Sequence, residues 1–273
     1  MKCNLGDIEI FYSTYGKGRP IVMLPGRPSD HHIMERLMEP LFTHRDGWLR
    51  LYPDLPGTGL TPSLDRLATH DQMLDVVLKF IDTVIPGQRF VLAGLSYGGY
   101  LARGVISYRA DLIDGVMLCA PQIKADLSLS MLPKRTTLIK DAALLAQLEP
   151  EEVQLVEGLV VVESSRVIEA VRSVLTEVKR ANHAFNERLE TAGPSSFEVD
   201  PHPLSFEGPT LIMTARQDHL CGYQEAWELL DNYPRATFAV LDGAGHFINI
   251  EQDELCRTLM HEWLNRVEGS FGN

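Results

Sequence analysis

Phe90-Val91-Leu92-Ala93-Gly94-Leu95-Ser96-Tyr97-Gly98-Gly99 decides how the rest of the chain is read. Four apolar residues read as a buried strand, and the residues from Tyr97 to Tyr108 read as a helix. Between them lies the pattern G-x-S-x-G in the context it requires, a sharp turn from strand to helix. Such a turn lifts a serine hydroxyl clear of the backbone but crowds its neighbours. Gly94 and Gly98 relieve that crowding because they lack a Cβ, and Gly99 lets the helix approach the sheet. The Tyr97 amide, at the helix start, is placed to face a developing oxyanion. Composition alone produces the pattern in about one chain in ten of this length. The flanking strand and helix are therefore what identify Ser96 as a nucleophile.

Strand and helix signals alternate outward from this point. Upstream, Ile8 to Tyr12 reads as a strand closed by Gly16-Lys17-Gly18. Ile21 to Leu24 is a second, ended by Pro25-Gly26, and Trp48 to Tyr52 a third. Met73, Leu74, Val77, Leu78 and Ile81 recur at helical spacing, with Thr69 or Asp71 as the cap and Pro86-Gly87 as the stop. Downstream, Gly115 to Ala120 is a strand. From Gln122 to Phe206 the strand rhythm stops, and helices are expected over Arg135 to Leu148, Glu151 to Val162 and Ser165 to Leu189. The Pro-rich run Asp200-Pro201-His202-Pro203 closes that block. Strand Thr210 to Thr214, helix Tyr223 to Leu230, strand Thr237 to Leu241 and helix Asp253 to Arg266 follow. The expectation is an α/β fold with a mostly parallel central sheet covered by helices on both faces. Residues 1–121 and 207–273 form the core, and residues 122–206 form a helical cap (lid) inserted after a sheet strand. An independent helical domain is the alternative for the block.

The 273 residues are 45% hydrophobic and 23% charged, the composition of a globular protein with a large core. A formal net charge of -12 repels phosphate backbones and anionic lipid, so nucleic acid and membrane are not expected partners. Cys3, Cys119, Cys221 and Cys256 lie far apart, which argues against a zinc site or redox pair. Reduced cysteines and the absence of a signal-peptide pattern lead to the expectation of a cytoplasmic protein without metal or cofactor. A homodimer is left open.

A nucleophilic serine needs a base, usually histidine, oriented by a carboxylate. His246 stands on the glycine-rich loop Asp242-Gly243-Ala244-Gly245-His246 after a strand, where it can reach over the sheet. With an unperturbed pKa near about 6.5, activity would fall below that pH. Asp218, just beyond the strand Thr210 to Thr214, is the expected acid. It is also placed to cap the helix near Tyr223, and Asp242 is a weaker rival. The other acid position, after Cys119-Ala120-Pro121, holds Gln122. A second oxyanion donor is expected from the loop Leu24-Pro25-Gly26-Arg27-Pro28, through the Arg27 N–H. The Arg27 guanidinium has two readings, selection of a carboxylate-bearing substrate or a surface pair with Asp30 or Glu35. His31 and His32 read as solvated residues, with lining of the site's mouth as the other reading. His44, His70, His183, His202 and His261 have no supporting context.

Together these parts resemble the α/β-hydrolase fold superfamily, in the lidded serine-hydrolase branch of small carboxylesterases and carbon–carbon bond hydrolases. Gly94 to Gly99 matches its nucleophile elbow, and Asp218 and His246 follow in the family's chain order. Asp54-Leu55-Pro56-Gly57-Thr58-Gly59 matches the loop written D-x-P-G-x-G. Where the family commonly has His-Gly, this chain has Pro25-Gly26. The resemblance implies a carboxylesterase-like serine hydrolase acting on a small-molecule ester through Ser96, His246 and Asp218, with Tyr97 and Arg27 forming the oxyanion hole. Dehalogenase-like and epoxide hydrolase-like members carry Asp where Ser96 stands. Carbon–carbon hydrolases of dienoate-type products usually have Asn before the serine and Trp after the histidine, where Leu95 and Phe247 stand. Prolyl iminopeptidase-like members usually carry Trp at the position of Tyr97. Carbon–carbon hydrolysis, slow or non-catalytic binding of a small molecule, and acyl transfer to an acceptor other than water are the alternatives.

Overall fold

A computed structural model describes residues 1–271 apart from 68, 194, 196–198 and 200–204. The closing Pro-rich run Asp200-Pro201-His202-Pro203 therefore lies outside the described residues. Eight strands form one sheet: β1 (Lys2–Asn4), β2 (Glu9–Gly16), β3 (Arg19–Leu24), β4 (Trp48–Pro53), β5 (Phe90–Leu95), β6 (Ile113–Cys119), β7 (Thr210–Ala215) and β8 (Ala236–Leu241). Their spatial order is β1-β2-β4-β3-β5-β6-β7-β8. The first two pairings, β1 with β2 and β2 with β4, are antiparallel; all others are parallel. The short strand β1 carries no apolar run of its own. It is held by pairing Lys2 with Phe11 and Asn4 with Glu9, and it buries Cys3.

The central strands are apolar throughout because both of their faces are covered. Ile21, Met23, Val91, Ala93, Met117 and Leu211 pack on one side, against α1 (His31–Met38) and the last helix. Val22, Leu24, Leu92, Val116, Leu118 and Ile212 pack on the other, against α2 (His70–Val84) and α3 (Tyr97–Arg109). Thr69 caps α2 in a reciprocal pair with Gln72. Successive strands proceed from β3 toward β4 on one side and toward β5 on the other. The connections therefore diverge beyond the carboxyl ends of β3 and β5, leaving a crevice there.

Between β6 and β7 the chain forms α4 (Ala142–Leu145), α5 (Pro150–Leu159), α6 (Ser165–Val178) and α7 (His183–Glu190). Two expectations are corrected here. The helix expected over Arg135 to Leu148 shrinks to α4. Thr136, Thr137 and Ile139 are β-branched and disfavour helix; Leu138 and Ile139 instead donate to Val161 O at 2.8 and 3.2 Å, and Asp141 caps the short helix. The single helix expected over Ser165 to Leu189 is broken before Asn182. Asn182 N donates to Gly57 O at 2.9 Å and its side chain accepts from Phe185 N at 3.1 Å. That tertiary bond and new cap outweigh continuation of the helix.

Beyond β7 come α8 (Gln224–Glu228), α9 (Ile248–Glu251) and α10 (Asp253–Gly269). Cys256, Met260, Trp263 and Leu264 of α10 close the core against the sheet. Among the described residues, no helix is long and apolar enough to cross a membrane.

Candidate active site

The turn from β5 into α3 is as tight as its glycines suggest. Ser96 has φ 52° and ψ -117°, a conformation that costs a non-glycine residue about 1–3 kcal/mol. It is held by Ser96 N donating to Cys119 O at 3.0 Å, and by Gly99 N and Gln122 N donating to Ser96 O at 2.9 and 3.0 Å. A Cβ on Gly98 would stand 2.7 Å from Pro25 O and 2.6 Å from Leu24 C, and one on Gly94 would stand 2.6 Å from Gly98 C. Only hydrogen at these positions lets the helix start nest against the end of β3.

The loops after β7 and β8 are tied together by Arg216 N donating to Leu241 O at 2.8 Å and Gln217 N to Ala244 O at 3.1 Å. This brings Asp218 and His246, far apart in sequence, to the same edge of the crevice. His246 Nδ1 lies 3.0 Å from Asp218 Oδ2, and His246 Nε2 lies 3.1 Å from Ser96 Oγ. The other oxygen, Asp218 Oδ1, accepts from Leu220 N at 2.9 Å and Cys221 N at 3.0 Å. Asp218 is fully buried. Burial would raise its pKa, but His246 and the Cys221 and Leu220 amides outweigh it and hold the carboxyl below its ordinary value. Burial would likewise lower the His246 pKa, but the Asp218 carboxylate holds it well above that of free imidazole. With the carboxylate accepting from Nδ1–H, Nε2 presents its lone pair to the serine hydroxyl. The arrangement can take a proton from Ser96 and stabilise the resulting imidazolium.

Two further expected residues sit at the same place. Tyr97 is the first residue of α3, so its N–H has no intrahelical acceptor. The loop carrying Arg27 lies directly against the elbow, since a Cβ on Gly26 would be 3.0 Å from Ser96 Cβ. The Arg27 side chain pairs with neither Asp30 nor Glu35. It is 8% exposed, stacks its Cζ 4.5 Å over the Tyr97 ring, and reaches Glu190 Oε1 only at 3.5 Å. The rival acid Asp242 is engaged with Gln217 Nε2 at 2.7 Å.

A cavity of 230 Å³ opens over Ser96 and His246. Gly26, Arg27 and Leu220 also line it, while Leu155 and Leu159 of α5 and Val174 and Val178 of α6 supply apolar lining.

Several residues at the site carry no sequence signal. Cys221 Sγ is 3.9 Å from Ser96 Oγ, and burial pushes its pKa up, so it is a neutral thiol. Glu251 of α9 is buried and clasps three amides: Oε1 accepts from Val161 N and Val162 N at 2.7 and 2.9 Å, and Oε2 from Gly245 N at 2.7 Å. His70 is buried with Nδ1 3.0 Å from Tyr97 Oη. Burial, with the Arg27 charge, pushes its pKa down to about 4.

His31 departs from its solvated reading. It is buried at the start of α1, and Asp54 Oδ1 lies 2.8 Å from its N and 2.7 Å from its Nδ1. Those bonds tie the D-x-P-G-x-G loop to the start of α1. His32 remains half-exposed beside Asp30.

Among the described residues, two groups hold enough ligand atoms for a cation, Asp218 with Cys221 and His246, and Asp30 with His31 and His32. In the first, the thiol is protonated and both Asp218 oxygens are engaged. In the second, His31 Nδ1 is engaged by Asp54 and His32 Nδ1 by Asp30.

A model of the Alpha/beta hydrolase family matches residues 21–258. No curated protein matches this chain in sequence. Among solved structures, an alpha/beta superfamily hydrolase from Oenococcus oeni PSU-1 superposes with a TM-score of 0.87 at 26% identity, over 95% of this chain and 96% of that one. A thermophilic esterase from Thermogutta terrifontis gives 0.67 at 23% identity over 98% of both chains. A meta-cleavage product hydrolase from Pseudomonas fluorescens IP01 gives 0.68 at 17% identity over 97% of both. The family match spans most of the chain and the sheet from within β3 through β8: this chain belongs to the alpha/beta hydrolase family.

Proposed function

We propose that the protein is a serine hydrolase that cleaves a small carboxylic ester through an acyl-enzyme. The observation that carries this reading is the unbroken series from Asp218 Oδ2 to His246 Nδ1 at 3.0 Å and from His246 Nε2 to Ser96 Oγ at 3.1 Å. Ser96 Oγ attacks the ester carbonyl as His246 Nε2 takes its proton. The carbonyl oxygen becomes an anion held by the Tyr97 and Arg27 N–H groups, each worth about 2.7–4 kcal/mol in such a site. The imidazolium, stabilised by Asp218, returns the proton to the leaving alkoxide, and the acyl group stays on Ser96. A water deprotonated by His246 then attacks the acyl-enzyme, and collapse releases the acid and restores the serine.

Residues 122–206 serve in this reading as a lid, because α5 and α6 supply the apolar wall over Ser96. Ester hydrolysis is favoured over carbon–carbon cleavage because Leu95 and Phe247, which flank the serine and histidine, offer only apolar side chains. Four free, buried cysteines support placing the protein in a reducing compartment such as the cytoplasm. The test is Ser96→Ala, assayed with a short p-nitrophenyl ester and a fluorophosphonate probe. Loss of both turnover and labelling, with the melting temperature retained, is expected; a variant that keeps most of its activity overturns the proposal.

A further inference from the structure

Arg27 is placed in a way that simple structural packing does not explain. Its side chain is 8% exposed, and its Nε and Nη1 atoms are buried with no hydrogen-bond partner. Among the described residues, the single ion pair of the guanidinium is with Glu190, at 3.5 Å, and the Glu190 side chain is 64% exposed. A buried charged donor left unpaired costs more than the roughly 1–3 kcal/mol of a neutral one. The Tyr97 ring and the long Glu190 contact offset only part of that cost, and a Leu or Met side chain would fill the same space without incurring it. The guanidinium plane is nonetheless fixed, by the Tyr97 ring 4.5 Å beneath it. Tyr97 is fixed in turn through its hydroxyl by His70. His70 is neutral near pH 7, so no second cation accompanies Arg27 there.

Arg27 lines the same cavity as Ser96 and His246. Its backbone N–H and its guanidinium belong to one residue, so a carbonyl held at the first and an anion held at the second are separated by no more than one arginine side chain. A cavity of about 150 Å³ holds benzene, so 230 Å³ holds roughly nine non-hydrogen atoms, the size of monomethyl succinate.

We propose that Arg27 is the specificity-determining residue of this site and that the substrates are small esters carrying a free carboxylate, which docks on its guanidinium in place of Glu190. This rests on the serine-hydrolase reading above and names its substrate class. A carboxylate matches the single positive charge and the forked donor geometry of the guanidinium. The apolar wall of Leu155, Leu159, Val174 and Val178 covers the carbon chain between the two ends. Glu190, exposed and loosely held, is the group the carboxylate displaces.

The experiment compares kcat/KM, by proton release, for monomethyl succinate and for its uncharged isostere methyl 4-methylpentanoate. Charge-assisted bonds to a buried guanidinium predict a preference for the charged ester of at least about tenfold. In Arg27→Met that ratio falls to about one or below; because both esters use the same nucleophile and amides, damage to the chemistry cancels in the ratio. In Glu190→Gln, which removes the competing anion, the ratio rises. A wild-type ratio at or below one, or a ratio unchanged in Arg27→Met, overturns the proposal while leaving the serine-hydrolase reading intact. If Arg27→Met does not fold, the uncharged Arg27→Gln and the Glu190→Gln variant carry the same ratio test. If neither ester is hydrolysed, the p-nitrophenyl ester and fluorophosphonate assays decide the serine-hydrolase reading separately. Calorimetric titration of the Ser96→Ala protein with succinate then decides the anion site: binding that disappears when Arg27→Met is added supports it, and absence of binding overturns it.

Discussion

Replacing Asp218 with asparagine probes the site at a single atom. An asparagine side chain has one acceptor oxygen and one donor nitrogen. At this position two buried amides, Leu220 N and Cys221 N, need an acceptor on one side, and His246 Nδ1 stands on the other. Turning the NH2 toward the two amides would leave both unpaired, at about 1–3 kcal/mol each, so the oxygen faces them. The NH2 then faces Nδ1, which must accept, and the ring proton moves to Nε2. There it points at Ser96 Oγ, 3.1 Å away, and the imidazole can no longer take the serine proton. A wrong tautomer of this kind lowers kcat by about 10⁴-fold, equivalent to about 5.4 kcal/mol of transition-state stabilisation. The assay is initial rate on p-nitrophenyl acetate, with thermal melting as the control. Asp218→Asn keeps both amides bonded and should melt well above Asp218→Ala, which strands them. Retention of more than about a tenth of the wild-type kcat by Asp218→Asn would refute the reasoning, as would equal melting of the two variants.

The remaining predictions concern the base, the elbow and the Glu251 clasp. Because the Asp218 carboxylate holds the His246 pKa above the ordinary value, the acid limb of the pH–rate profile should have its midpoint above about 6.5, with activity lost as pH falls through it; a midpoint at or below that value contradicts the electrostatics described. Gly98→Ala places a methyl within 2.7 Å of Pro25 O and should cost at least about 1–3 kcal/mol in chemical denaturation, together with most of the esterase activity; a change below about 0.5 kcal/mol would mean that the loop yields freely. Glu251→Gln can serve Val161 N and Val162 N but turns its NH2 against Gly245 N–H, so a loss of about 1–3 kcal/mol is expected, and wild-type stability would show that the clasp contributes nothing.

The sheet was legible because its strands are continuous apolar runs cut by Pro and Gly, and Ser96 because its turn needs glycines at fixed offsets. Asp218 and His246 could be placed because each follows a strand end, and strand ends converge on one rim of a parallel sheet. The insertion was harder to read. Its helices are mostly short, and their ends are set by partners distant in sequence: Gly57 O for Asn182 and Val161 O for Leu138 and Ile139. The surroundings of Arg27 had no local signature either. Whether an arginine three residues past a strand end is solvated or buried depends on Tyr97 and Glu190, which lie far along the chain. His31 was misread for the same reason, its partner Asp54 being on another loop.

The Glu251 clasp makes two tasks mechanically inseparable. A single carboxylate grips both the strap at 161–162, which continues from the α5 helix that walls the cavity, and the glycine next to the base. Any swing of the helical block that pulled this strap away would slacken the mooring of His246 in the same stroke. Substrate and product can therefore come and go without loosening the base only along a route that leaves this strap in place.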